Sequence, residues 1–217
     1  MTTNSVHPLE KLLRERIVFL DGAMGTMIQR YKLSETEYRG KRFRDWSGKD
    51  LKGSLELLNL TRPQVVEEIH AAYLDAGADV IETNTFSGTT IGLHDFLFQG
   101  EPTHGRKDQD FFQRVVNDVD LRALVHEINF KAARIGRQAA DRVGNETGHQ
   151  RFVGGSLGPL AIKDFHCRTR EPGFAVRPFS VKQSNSRPCS GLTSSLSEGS
   201  WMMANQLLID VVRTMSR

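Results

Sequence analysis

Two periodicities of apolar and polar positions alternate along the chain up to Pro159. From Pro8 to Arg16 the run PLEKLLRER spaces its leucines for one face of a short helix, and IVFLDGA from Ile17 then reads as a buried strand. The clearest helix is LTRPQVVEEIHAAYLDAGA. Thr61 is placed to cap it, Pro63 falls in its first turn, and Gly77 stands where a terminating glycine is expected. Its apolar face is Val66, Ile69, Tyr73 and Ala76, spaced by three and four. DVIETNTF follows as a second short apolar run. Leu124, Ile128, Ala132, Ile135 and Ala139 then set out a second long helix, from Leu121 to near Gly144, and RFVGGSLGP is a third strand. Residues 30–60 read as polar and irregular. GTTIGLHDFLFQGEPTHGRKDQDFFQRVVNDVD reads as a long excursion, and its part FLFQGEPTHGRKDQDFFQRVVNDVD as a surface insertion rather than a lid.

The order strand, helix, strand, helix, strand predicts βαβ units and a parallel sheet, in which ligands meet the carboxyl ends of the strands. All three predicted strands stop at small or polar groups: Asp21-Gly22, Glu82-Thr83-Asn84-Thr85 and Gly154-Gly155-Ser156. One such ending would signify only a turn. Three in step point to a shared edge. DGAMGT has neither the lysine of a P-loop nor G-x-G-x-x-G spacing, and its leading acid would repel phosphate. Asp21 suits an amine, and backbone N–H groups after Gly22 and Gly25 suit a carboxylate. Together they describe a site for the α-carbon of an amino acid. His70 reads as a flank residue of its helix. His94, His104, His126, His149 and His166 show no metal spacing, so no histidine is assigned chemistry.

Composition narrows the class. The chain has 217 residues, 38% of them hydrophobic, enough for one core or part of a larger one. No stretch approaches the roughly 20 apolar residues of a membrane span, and the N-terminus lacks the apolar centre of a signal peptide, so a cytoplasmic protein is expected. Cys167 and Cys189 are too few for a disulfide framework, lack paired spacing, and read as plain thiols. The net charge of +3 is uneven, since residues 160–217 hold eight Lys and Arg against four Asp and Glu. No nucleic-acid motif accompanies those basic residues, so the expectation is a solvated tail rather than a nucleic-acid surface.

VFLDGAMGTMIQR, DLKGSLELLNLTRPQVV, YLDAGADVIETNTFSGTTIG and FVGGSLGP, in this order, resemble the homocysteine-binding module of cobalamin-dependent methionine synthases, within the zinc-dependent homocysteine S-methyltransferases. The resemblance spans about residues 16–159, and DLKG…LLNLTRP favours the methionine synthase type over relatives with other methyl donors. It implies a (β/α)8 TIM barrel, of which this stretch supplies the first three or so βα units. It further implies homocysteine at the carboxyl edge, with its sulfur on a zinc ion held by three cysteines. Zinc lowers the thiol pKa and yields the thiolate that attacks a methyl group. The methyl arrives as methylcobalamin, recharged from methyltetrahydrofolate by other modules. Carried onto this chain, Asp21 would hold the substrate amine and the backbone of Gly22, Ala23, Met24, Gly25 and Thr26 its carboxylate. Asn84, Thr85 and Phe86 would floor the pocket, and Gly155 and Ser156 would line the same edge.

Beyond Pro159 the resemblance fades. Residues 180–200 contain eight serines among 21, a composition unsuited to a core strand-helix unit. Cys167 and Cys189 lie too early to be the family's zinc ligands, so no catalytic or metal-ligating residue is assigned. The expected organisation is therefore part of a homocysteine-binding barrel over residues 1–159 and a divergent, poorly ordered or frame-shifted tail over 160–217. The enzyme fragment would be inactive alone. The competing readings are a non-catalytic partial barrel completed by a partner, and a barrel enzyme with another methyl donor or amino acid.

Overall fold

Two short strands, β1 (Val80–Glu82) and β2 (Phe152–Gly154), pair in parallel, with Val80 opposite Phe152 and Glu82 opposite Gly154. They belong to a computed structural model that describes residues 7–102 and 107–158. The predicted first strand lies beside β1 but is reduced to one parallel bridge, Leu20 to Val80. Phe19 O accepts from the N–H groups of Asp79 and Val80, and Asp21 N donates to Val80 O at 2.9 Å. No further strand pairs with its other side among the described residues, and Ile17, Phe19 and Leu20 remain exposed. Three parallel segments therefore stand side by side in chain order. The tail assigned to 160–217, with Cys167 and Cys189, lies outside the described residues.

The connections are more helical than their polarity suggests. After α1 (Pro8–Glu15), residues 24–61 form α2 (Met24–Arg30), α3 (Glu35–Arg39), a 3-10 turn at Leu55–Leu57 and α4 (Leu58–Thr61). The elements are too short for a periodic pattern to emerge, yet Leu33, Tyr38, Phe43 and Leu51 from this stretch are all buried. Thr61 is not the cap of α5 (Pro63–Asp75). It ends α4, its hydroxyl donates back to Leu57 O, and Arg62 takes the cap position. Gly77 does terminate α5, at φ +102°, with its N–H bonded to Leu74 O and that of Ala78 to Tyr73 O.

α5 buries Val66, Ile69, His70 and Leu74, a face turned from the expected one, so that Ala76 is exposed and Tyr73 half-buried. His70 is accordingly a core residue rather than a flank one. Neither of its ring nitrogens has a partner among the described residues, and burial drives its pKa down to about 4.

The long excursion folds into two helices, α6 (Thr90–Leu97) and α7 (Gln109–Asn117), joined edge-to-face through His94, Phe98, Phe111 and Phe112. The expected second long helix is α8 (Val119–Thr147), capped by the Asp118 carboxylate accepting from Leu121 N at 2.7 Å and ended by Gly148 rather than Gly144. α8 lies against α5 and the sheet. A Cβ on Gly136 would sit 3.2 Å from Val153 Cγ1, so this glycine sets how closely the helix approaches β2.

An ion pair secures the opposite, amino end of the sheet. Arg16 grips the buried Asp79 in a fork, with Nη1–Oδ2 of 2.7 Å and Nη2–Oδ1 of 2.6 Å, while Phe19 N donates to the same carboxylate. The Arg16 guanidinium holds the Asp79 carboxyl down to about 2.

Candidate functional site

At the carboxyl edge the three strand ends and the turn after Asp21 surround a cavity of about 560 Å³, the size range of small-molecule sites. Asp21 stands at its rim, with Oδ2 accepting from Glu82 N at 3.0 Å. Partial burial pushes the Asp21 carboxyl up to about 6; the neighbouring Glu82 carboxylate adds to the effect and the backbone hydrogen bond opposes it. The chain turns sharply from Leu20 through Gly22 into α2, leaving the backbone of residues 22–25 on the cavity wall.

Polar contacts join the loops after β1 and β2. Ser156 N donates to Thr83 Oγ1 at 3.1 Å, Thr85 Oγ1 to Ser156 O at 2.8 Å, and Gly158 N to Phe86 O at 2.8 Å. Ser156 Oγ donates to Glu82 Oε2 at 3.0 Å. Asp21, Glu56 and Glu82 all line the cavity, and no Lys, Arg or His does so among the described residues. The site therefore favours a ligand group that carries positive charge, and leaves backbone amides as the means of meeting a negative one.

Of the residues singled out from the sequence, Asp21, Gly22, Ala23, Met24, Gly25, Asn84, Phe86 and Ser156 line this cavity together. Thr26, Thr85 and Gly155 do not. Thr26 lies a residue further into α2, Thr85 turns its hydroxyl to Thr83 and Ser156, and Gly155 is carried outward between Gly154 and the buried Ser156. The sequence reading missed Leu55, Glu56, Ser87, Leu93 and Phe96. Glu56 and Leu55 come from the stretch read as irregular, and Leu93 and Phe96 from the long excursion. Only the helical spacing within LELLN offered a signal for the first pair.

A parallel α/β unit with an acidic cavity at its carboxyl edge defines the class. The homocysteine S-methyltransferase family matches residues 18–171, and the chain belongs to that family, whose fold is the TIM barrel. Among solved structures, it is similar to the homocysteine methyltransferase MmuM from Escherichia coli. The metallated form matches with 21% identity, TM-score 0.47, and coverage of 75% of this chain and 48% of that one. The oxidized form matches with 22% identity, TM-score 0.48, and coverage of 75% and 47%. The chain thus spans about half the length of these proteins.

The described residues do not fit the zinc ion implied by the family. They contain no group of three or more His, Cys, Asp or Glu able to hold a metal, and the cavity offers carboxylates, hydroxyls and amides where a sulfur-binding zinc needs thiolates. No helix among them is long and apolar enough to cross a membrane.

Proposed function

We propose that this chain supplies the homocysteine-binding edge of a methionine-forming methyltransferase of the methionine synthase type. In this reading the substrate ammonium meets Asp21 and its carboxylate the amides of the turn at residues 22–25. Phe86 and Leu55 face its thioalkyl arm. The observation that carries the reading is the placement of one carboxylate and a bare backbone turn at the mouth of a single cavity, in a member of this family. The DLKG…LLNLTRP stretch supports methylcobalamin, recharged from methyltetrahydrofolate by other modules, as the methyl source. The thiolate-forming zinc would come from residues outside those described.

Calorimetric titration of the purified chain with L-homocysteine tests this. Binding is expected for homocysteine and lost for its N-acetyl derivative. Asp21→Ala should weaken it by about tenfold or more, the worth of a charge-assisted hydrogen bond. Tight binding of the N-acetyl compound would refute the assignment of the amine. The isolated chain is expected to bind homocysteine without converting it, and methionine formation from zinc and methylcobalamin would contradict that.

A further inference from the structure

The stretch LELLN is part of a distinctive motif, yet the proposed chemistry gives no task to its Glu56 and Asn59. Its place in the structure gives it a task. Residues 55–61 are continuously helical, first as a 3-10 turn and then as α4, so Leu55, Glu56 and Asn59 fall on neighbouring positions of one face. That face meets the loop after β1. Glu56 Oε1 accepts from Ser87 N at 2.7 Å, and Asn59 Nδ2 donates to Asn84 O at 2.8 Å. In return, Asn84 Nδ2 donates to Leu55 O at 2.8 Å and to Asn59 Oδ1 at 3.2 Å. Glu56, Asn59 and Asn84 are only 6%, 1% and 5% exposed. Buried polar groups with mutual partners hold one geometry, because losing any bond leaves a desolvated group unsatisfied.

The loop they grip carries Phe86, and Gly158 N holds the same residue's carbonyl from the β2 side. Leu55, Glu56, Asn84, Phe86 and Ser87 all line the cavity, so these bonds join two stretches of chain into one continuous wall. We infer that Glu56 and Asn59 are positioning residues that fix this wall of the homocysteine cavity, and with it Phe86, by clamping the Asn84–Ser87 loop against the helical stretch 55–61. The inference rests on the reading of this cavity as the homocysteine site. Glu56 acts through its Oε1 as a hydrogen-bond acceptor, and its charge is not required.

The test compares Glu56→Ala, Glu56→Gln and Asn59→Asp in the full chain, reading amide hydrogen exchange at Ser87 and homocysteine affinity by calorimetry. Glu56→Ala is expected to speed exchange at Ser87 and raise the Kd, each by about tenfold or more, as loss of a bond to a charged acceptor implies. Glu56→Gln, which retains the acceptor oxygen, should bring both back to within about threefold of wild type. Asn59→Asp removes the donor to Asn84 O and should resemble Glu56→Ala. If Glu56→Ala does not fold, Glu56→Asp withdraws the same acceptor by one methylene and should fall between wild type and loss. Unchanged Ser87 exchange in these variants overturns the clamp, as does a glutamine as damaging as alanine, which would make Glu56 a charge contact instead. Failure of the wild-type chain to bind homocysteine, with Ser87 exchange still responding, overturns the positioning role together with the substrate reading. Normal binding with an unresponsive Ser87 overturns the clamp alone.

Discussion

Asp21 concentrates the conflict between folding and binding in one side chain. Its carboxyl titrates near 6 in the folded chain because it is half-buried beside Glu82, whereas an unfolded aspartate titrates near 3.9. As pH rises from about 4 to about 6, the unfolded chain loses this proton first, so stability falls over that interval and the full cost is present above it. Asp21→Asn should therefore be more stable than wild type above pH 6, with the difference vanishing near pH 4 in urea titrations across the range. The same substitution should weaken homocysteine binding by about tenfold or more. In the wild-type chain the affinity should weaken as pH drops below about 6, since a protonated Asp21 no longer attracts an ammonium. Asp21 was legible in the sequence because an acid followed by glycines ends an apolar run. Glu56 was not, because its partner Ser87 lies 31 positions away, and nothing local marks a glutamate that reaches across to another loop.

Among the elements, long periodic ones could be read directly and short ones could not. α5 and α8 each offer several turns on which an apolar stripe can repeat, so both were visible, with errors confined to the caps and to the rotation that buries His70. α3, α4, α6 and α7 are one to two and a half turns long and take their order from packing, not from an internal pattern. The β1–α8–β2 arrangement depends on a residue without a side chain. Gly136 brings α8 close to Val153, Ile81 and His70, and a Cβ there already reaches the limit of contact. Gly136→Val would force the helix away from the sheet at a cost of about 2–3 kcal/mol. Thermal melting checks this. Gly136→Ala should cost far less, because better helix propensity offsets the tight methyl contact.

For the molecule as a whole, the most consequential surface is the outer side of the first extended segment. Ile17 is 75% exposed and Phe19 60%, beside a backbone that pairs only toward β1. Such an edge invites another strand. The chain is expected to associate with rising concentration in light scattering, and Ile17→Lys, placing a charge on the edge away from the Arg16–Asp79 fork, should suppress it without lowering the melting temperature. Scattering independent of both concentration and this substitution would show that the edge is already satisfied. The parallel architecture was readable from element order alone. The open edge beside Ile17 came only with the structure.

Because neighbouring strands are consecutive in the chain, the described residues around the cavity all lie between Leu20 and Ser156. A ribosome adding about 5–20 residues each second delivers these parts in spatial order. The amino-acid pocket can thus close during synthesis, as soon as Gly158 clears the exit tunnel and bonds to Phe86. On the proposed function, homocysteine then becomes a ligand for the nascent chain, able to steady it while synthesis continues.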